Sequence, residues 1–96
     1  MAARCRVGWE RREPDAARTV LATNLDGVFF VAQEAARRML SLEKGVIINM
    51  ASTNALVGHP FYADYNASKA AVLELTRTMA LELAPRIRIV AVCPGY

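Results

Sequence analysis

Ninety-six residues suffice for one domain at most, and 54% of them are hydrophobic, on the apolar side for a soluble chain of this size. The net charge of +3 sits at the start, where residues 1 to 18 carry five arginines against Glu10, Glu13 and Asp15, leaving +1 for the remainder. That composition argues against three classes: nucleic-acid binders, which interleave arginine with aromatics or zinc ligands; organelle precursors, whose leaders avoid acids; and membrane spans, since no apolar stretch approaches ~18 residues.

The expected location is therefore the cytosol, with neither membrane nor nucleic acid as partner. Cys5 and Cys93 are too few and too far apart for a disulfide framework or a metal site, so no metal is expected.

Residues 1 to 14 show no clear periodicity and read as a disordered or foreign leader. Pro14 marks its end, because proline is tolerated only in the first turn of a helix. From Asp15 to about Leu42, the apolar positions Leu21, Leu25, Val28, Ala32, Ala35 and Met39 recur at spacings of four and three, which predicts one helix with a continuous stripe. Phe29, Ala36 and Leu40 add a second apolar flank. Arg37 and Arg38 near its end suit the helix dipole.

A polar turn, Ser41 to Gly45, precedes a strand from Val46 to Met50, whose unbroken apolar run predicts burial on both faces. Ala51 to Asp64 is a long loop with Gly58 and Pro60 as breakers. Its position after a strand is where doubly wound sheets hold ligands, so His59, Phe61 and Tyr62 are candidates for ligand contact. A second helix runs from about Ala63 to Ala84 and is ended by Pro85. Ile87 to Val92 is a second apolar strand leading into Cys93-Pro94-Gly95. Strand, helix, strand predicts a right-handed crossover with parallel neighbouring strands and both helices on one face. The fold class is α/β.

Tyr65 and Lys69 stand four residues apart at the start of the second helix, which stacks phenol and ammonium on one face. A nearby cation favours the phenolate, bringing a group that ordinarily ionises near pH ~10 into use as an acid or base at a carbonyl or alcohol. Alone the spacing is common. Its surroundings make it specific: Ser52 closes the first strand thirteen residues upstream, Pro94-Gly95 follows the second, and Asn24-Leu25-Asp26-Gly27 lies in the helix before the serine.

These four motifs, in this order, resemble the short-chain dehydrogenase/reductase family over residues 15 to 96. The resemblance implies a partial Rossmann fold, a doubly wound parallel sheet represented here by helix, strand, helix, strand. It implies hydride transfer between NAD or NADP and a small-molecule alcohol or carbonyl. Tyr65 would move the proton, Ser52 would hydrogen-bond the reacting oxygen, and Lys69 would favour the phenolate and bind the nicotinamide ribose. Asn24 would hold a water, and Pro94 and Gly95 would border the nicotinamide. The family's two long helices usually pack against the same pair of another subunit, so a homo-oligomer through these helices is expected.

The family's phosphate-cradling turn, T-G-x-x-x-G-x-G, has no counterpart here: Gly8, Gly27, Gly45, Gly58 and Gly95 are far apart. The N-N-A-G stretch is also missing, and Val90 replaces the usual strand asparagine. The chain is therefore expected to be the catalytic middle of such an enzyme, inactive alone. The competing expectation is a non-catalytic oligomerisation or interaction module that kept the dimer helices. The segment that selects NAD or NADP is absent, so the choice stays open.

Overall fold

The computed structural model of the chain describes residues 7–95, so Cys5 and the first six residues of the expected leader lie outside the described residues. Two strands, β1 (Gly45–Met50) and β2 (Ile87–Val92), pair in parallel from Gly45 opposite Ile87 to Met50 opposite Val92. Helix α3 (Ala63–Leu83) is the crossover between them. It stops one residue before the sequence suggested, because Pro85 drives Ala84 to extended backbone (φ −66°, ψ 148°).

The helix expected from Asp15 to Leu42 is continuous in path but not in hydrogen bonding. It comprises α1 (Pro14–Leu21), a π-helical stretch Ala22–Asp26, and α2 (Gly27–Leu42). In the π stretch Gly27 N–H reaches back five residues to the Ala22 carbonyl, an extra residue accommodated as a bulge. Helix α2 ends at Glu43, which takes the left-handed conformation (φ 61°) and donates to the Leu40 carbonyl at 3.1 Å. Gly45 follows because a Cβ there would lie 2.3 Å from Met39 Sδ.

Both helices lie on one face of the sheet. Ile47, Ile87 and Ile89 point toward them and form the core with Ala36, covered by Met39, Leu40, Met79 and Leu83. The expectation that β1 is buried on both faces is not met among the described residues. Val46, Ile48 and Met50 alternate outward and, with Val90 and Val92, stay 42% to 59% exposed. Only one face has helices to cover it.

The buried side chains of α3 are Asp64, Ser68, Val72 and Thr76, four residues apart in turn. Three are polar, so each needs a partner across the fold. Thr76 Oγ1 accepts from Asn49 Nδ2 of β1 at 2.9 Å and donates to the Val72 carbonyl at 2.8 Å.

The leader is described from Val7 onward. Trp9–Arg11 forms a 3-10 turn, and Arg12 Nε donates to Asp64 Oδ2 at 2.8 Å, an ion pair whose carboxylate side chain is only 4% exposed.

Candidate active site

Tyr65 and Lys69 occupy the first two turns of α3, which begins at the carboxyl-terminal end of β1 because the crossover returns antiparallel to the strands. Their spacing places Lys69 Nζ 5.7 Å from the Tyr65 ring centroid. The ammonium also donates to the Met50 carbonyl at the last residue of β1 (3.3 Å). One flexible side chain is thereby held between helix and strand. Tyr62 packs edge-on against Tyr65, with centroids 6.3 Å apart, which limits the ring's freedom on the loop side. Asp64 Oδ1 accepts from the Tyr65 N–H at 2.9 Å, so the carboxylate that pairs with Arg12 also satisfies a first-turn N–H of α3 at the phenol-bearing residue.

Ser52 is buried at the end of β1. Its Oγ accepts from the Asn54 N–H at 3.2 Å and caps the 3-10 turn Thr53–Ala55. In this bond the hydroxyl is the acceptor, so its own proton remains free to be donated elsewhere. Pro94 and Gly95 lie beside this serine turn. The Pro94 carbonyl accepts from the Thr53 N–H at 3.2 Å, and a Cβ on Gly95 would come within 2.9 Å of Thr53 Cγ2. The two strand ends are thus bound together where both strands point.

Asn24 lies in the π stretch, and its Nδ2 donates to Ser68 Oγ at 3.2 Å. Ser68, fully buried, donates in turn to the Tyr65 carbonyl at 2.7 Å. The bulge therefore brings Asn24 against the residue preceding Lys69. Ser68 escaped the sequence reading because it sits among alanines in a helix scored by apolar spacing. The signal that could have found it is the recurrence of polar residues at 64, 68 and 76, at multiples of four residues. Asn54 and Asn66 were missed as well, and they join the serine turn to α3 through a 2.9 Å bond from Asn54 Nδ2 to Asn66 Oδ1.

Asn24, Ser52, Tyr65, Lys69, Pro94 and Gly95 are thus gathered at one edge, from four segments of chain. The His59 carbonyl accepts from Asn66, next to Tyr65; the His59 side chain is exposed and forms no bond among the described residues. Lys69 offers ammonium donors at the end of β1, chemistry that fits sugar hydroxyls. No glycine-rich turn for a diphosphate lies within the chain. Among the described residues no cluster of His, Cys, Asp or Glu is placed to hold a metal, and no helix is long and apolar enough to cross a membrane.

A family model described as short chain dehydrogenase matches residues 5–96. The chain belongs to this family. The family match takes in residues 5 to 14, which the sequence alone had set aside as a leader. A 3-oxoacyl-(acyl-carrier-protein) reductase of Staphylococcus aureus is 47% identical over 78 residues, covering 80% of this chain and 32% of the reductase. The crystal structure of a gluconate 5-dehydrogenase from Burkholderia cenocepacia, in complex with NADP and tartrate, superposes with a TM-score of 0.92 at 37% identity. That superposition covers the whole of this chain and 38% of the dehydrogenase. An NAD+-bound xylitol dehydrogenase gives 0.88 at 40% identity, over 91% of this chain and 34% of its own. The chain spans about a third of the length of these short-chain dehydrogenases, and its α/β fold is the corresponding part of a Rossmann-like sheet.

Proposed function

We propose that this segment supplies the proton-transfer half of an NAD- or NADP-dependent oxidoreductase that interconverts a small carbonyl and its alcohol. The observation that carries this reading is Lys69 Nζ held over the Tyr65 ring and bonded to the last residue of β1, the strand that leads into the buried Ser52. The relatives bound to NADP and to NAD+ support the cofactor class without choosing between its members.

When bound, the nicotinamide supplies the hydride for reduction or takes it in oxidation. Tyr65 Oη donates its proton to the carbonyl oxygen as that oxygen becomes an alkoxide, and takes it back in reverse. Ser52 Oγ donates to the same oxygen and steadies the charge that develops there. Lys69, held beside the Tyr65 ring, offers ammonium donors to the ribose hydroxyls. Asn24 holds a water on the path from Lys69 to solvent, with Ser68 fixing its amide. Pro94 and Gly95 border the nicotinamide ring. Residues 1–96 by themselves are inactive, because nothing in them cradles the diphosphate.

In the whole enzyme, α1–α2 and α3 pack against a second subunit. The exposed Phe29 and the groove shared by α2 and α3, with Gln33, Arg37, Leu75 and Glu82, are the surfaces available for it.

Grafting residues 15 to 96 into a full-length reductase in place of its own segment tests the reading. Carbonyl-dependent oxidation of the reduced cofactor by the graft is expected. A folded graft that binds cofactor yet reduces no carbonyl contradicts it.

A further inference from the structure

Ser52 and Tyr65 stand on different elements, separated by residues 53 to 62 and the first turn of α3, and their hydroxyls must converge on a single oxygen if both act on it. A misplacement of about 1 Å can cost a hundredfold in rate, so something must fix the serine turn against the helix. The loop alone is a poor candidate: Leu56, Val57 and Phe61 are 63%, 62% and 44% exposed. It also carries strain, since Phe61 sits in the left-handed region (φ 70°), an outlier for a bulky residue.

Two asparagines bridge the gap. Asn54, 8% exposed, gives its backbone N–H to Ser52 Oγ (3.2 Å) and its Nδ2 to Asn66 Oδ1 (2.9 Å). Asn66 gives its Nδ2 to the His59 carbonyl (2.9 Å) and its backbone N–H to the Tyr62 carbonyl (2.7 Å). It therefore bonds to the loop on both sides of the strained Phe61, and it is the neighbour of Tyr65 on α3. The chain of bonds has a direction. Turning the Asn66 amide over would set its NH2 against the NH2 of Asn54 and its oxygen against the His59 carbonyl.

We infer that the Asn54–Asn66 amide pair is a positioning device that sets the Ser52 hydroxyl relative to Tyr65. This rests on the proposed roles of Ser52 and Tyr65. The pair touches neither the reacting oxygen nor the cofactor; it acts by holding the serine turn to the helix.

The test uses two readouts. In the active graft, Asn66→Leu should lower kcat by about tenfold to a hundredfold while both KM values stay within about threefold, the pattern of a group that matters after binding. Asn54→Ala should do the same, and the double variant should lose no more than either single one, because the two act as a unit. Asn66→Asp keeps an oxygen for Asn54 but sets its second oxygen against the His59 carbonyl, so it should recover only part of the lost kcat. Independently of activity, hydrogen exchange on the intact 96-residue chain should show the Asn54 backbone amide exchanging roughly tenfold faster in Asn66→Leu, with the Thr76 amide unchanged. Unchanged kcat in Asn66→Leu, additive losses in the double variant, or unaltered exchange at Asn54 would each overturn the inference. An inactive parent graft would count against the catalytic reading instead, and the exchange measurement would then decide the pairing alone.

Discussion

Ser68 shows how much one small hydroxyl can hold. Replacing it with alanine strands the Asn24 amide against α3 and removes the donor to the Tyr65 carbonyl. Alanine's better helix propensity offsets a few tenths of a kcal/mol, leaving an expected loss of about 1 kcal/mol in chemical denaturation; unchanged stability would show that Asn24 finds another partner. Arg12→Ala should cost about 1–2 kcal/mol, below the range for a fully buried pair because the arginine is 21% exposed and Asp64 also accepts from Tyr65 N–H. A loss that disappears in high salt would mean the pair acts as a surface contact.

At this scale, Tyr65, Lys69, Ser52 and Asn24 could be proposed from the sequence because a local spacing and its neighbours flag them. Ser68, Asn54, Asn66 and the Arg12–Asp64 pair were not, because each matters through a residue 12 to 52 positions away.

The π stretch is a feature of the element, and no apolar spacing reveals it: Leu21, Leu25 and Val28 fit an uninterrupted α-helix equally well. A single surplus residue shifts α1 against α2 by about 100° of helical rotation. Deleting Ala22 should therefore close a regular helix and force a choice between the contacts of α1 and the Asn24–Ser68 bond. We expect a stability loss of about 1–3 kcal/mol, measured by denaturation; a variant as stable as the parent would mean the bulge positions nothing. The boundaries of β1, β2 and α3 were readable from Gly45, Pro85 and the apolar runs. The one-sided burial of β1 was not, since Val46, Ile48 and Met50 look like core residues whichever face is covered. The polar share of the buried face of α3 was not legible either, since Asp64, Ser68 and Thr76 flank Val72 on it.

Among the described residues, the outward sheet face of Val46, Ile48, Met50, Val90 and Val92 adjoins two unpaired strand edges, and Phe30, Val31 and Leu81 are 61%, 72% and 84% exposed on the helices. Such surface drives association. The purified 96-residue chain is expected to be a dimer or a soluble aggregate by light scattering, and a monodisperse monomer with strongly protected strand amides would contradict this.

The central claim is that Tyr65 carries the proton, and one measurement bears on it most directly: steady-state carbonyl reduction by the graft of residues 15 to 96 and by its Tyr65→Phe variant, which keeps the ring and removes only the hydroxyl. The account predicts a fall in kcat of about 10²–10⁴-fold with cofactor binding and melting temperature preserved. A Tyr65→Phe graft that reduces carbonyls as fast as its parent would contradict it.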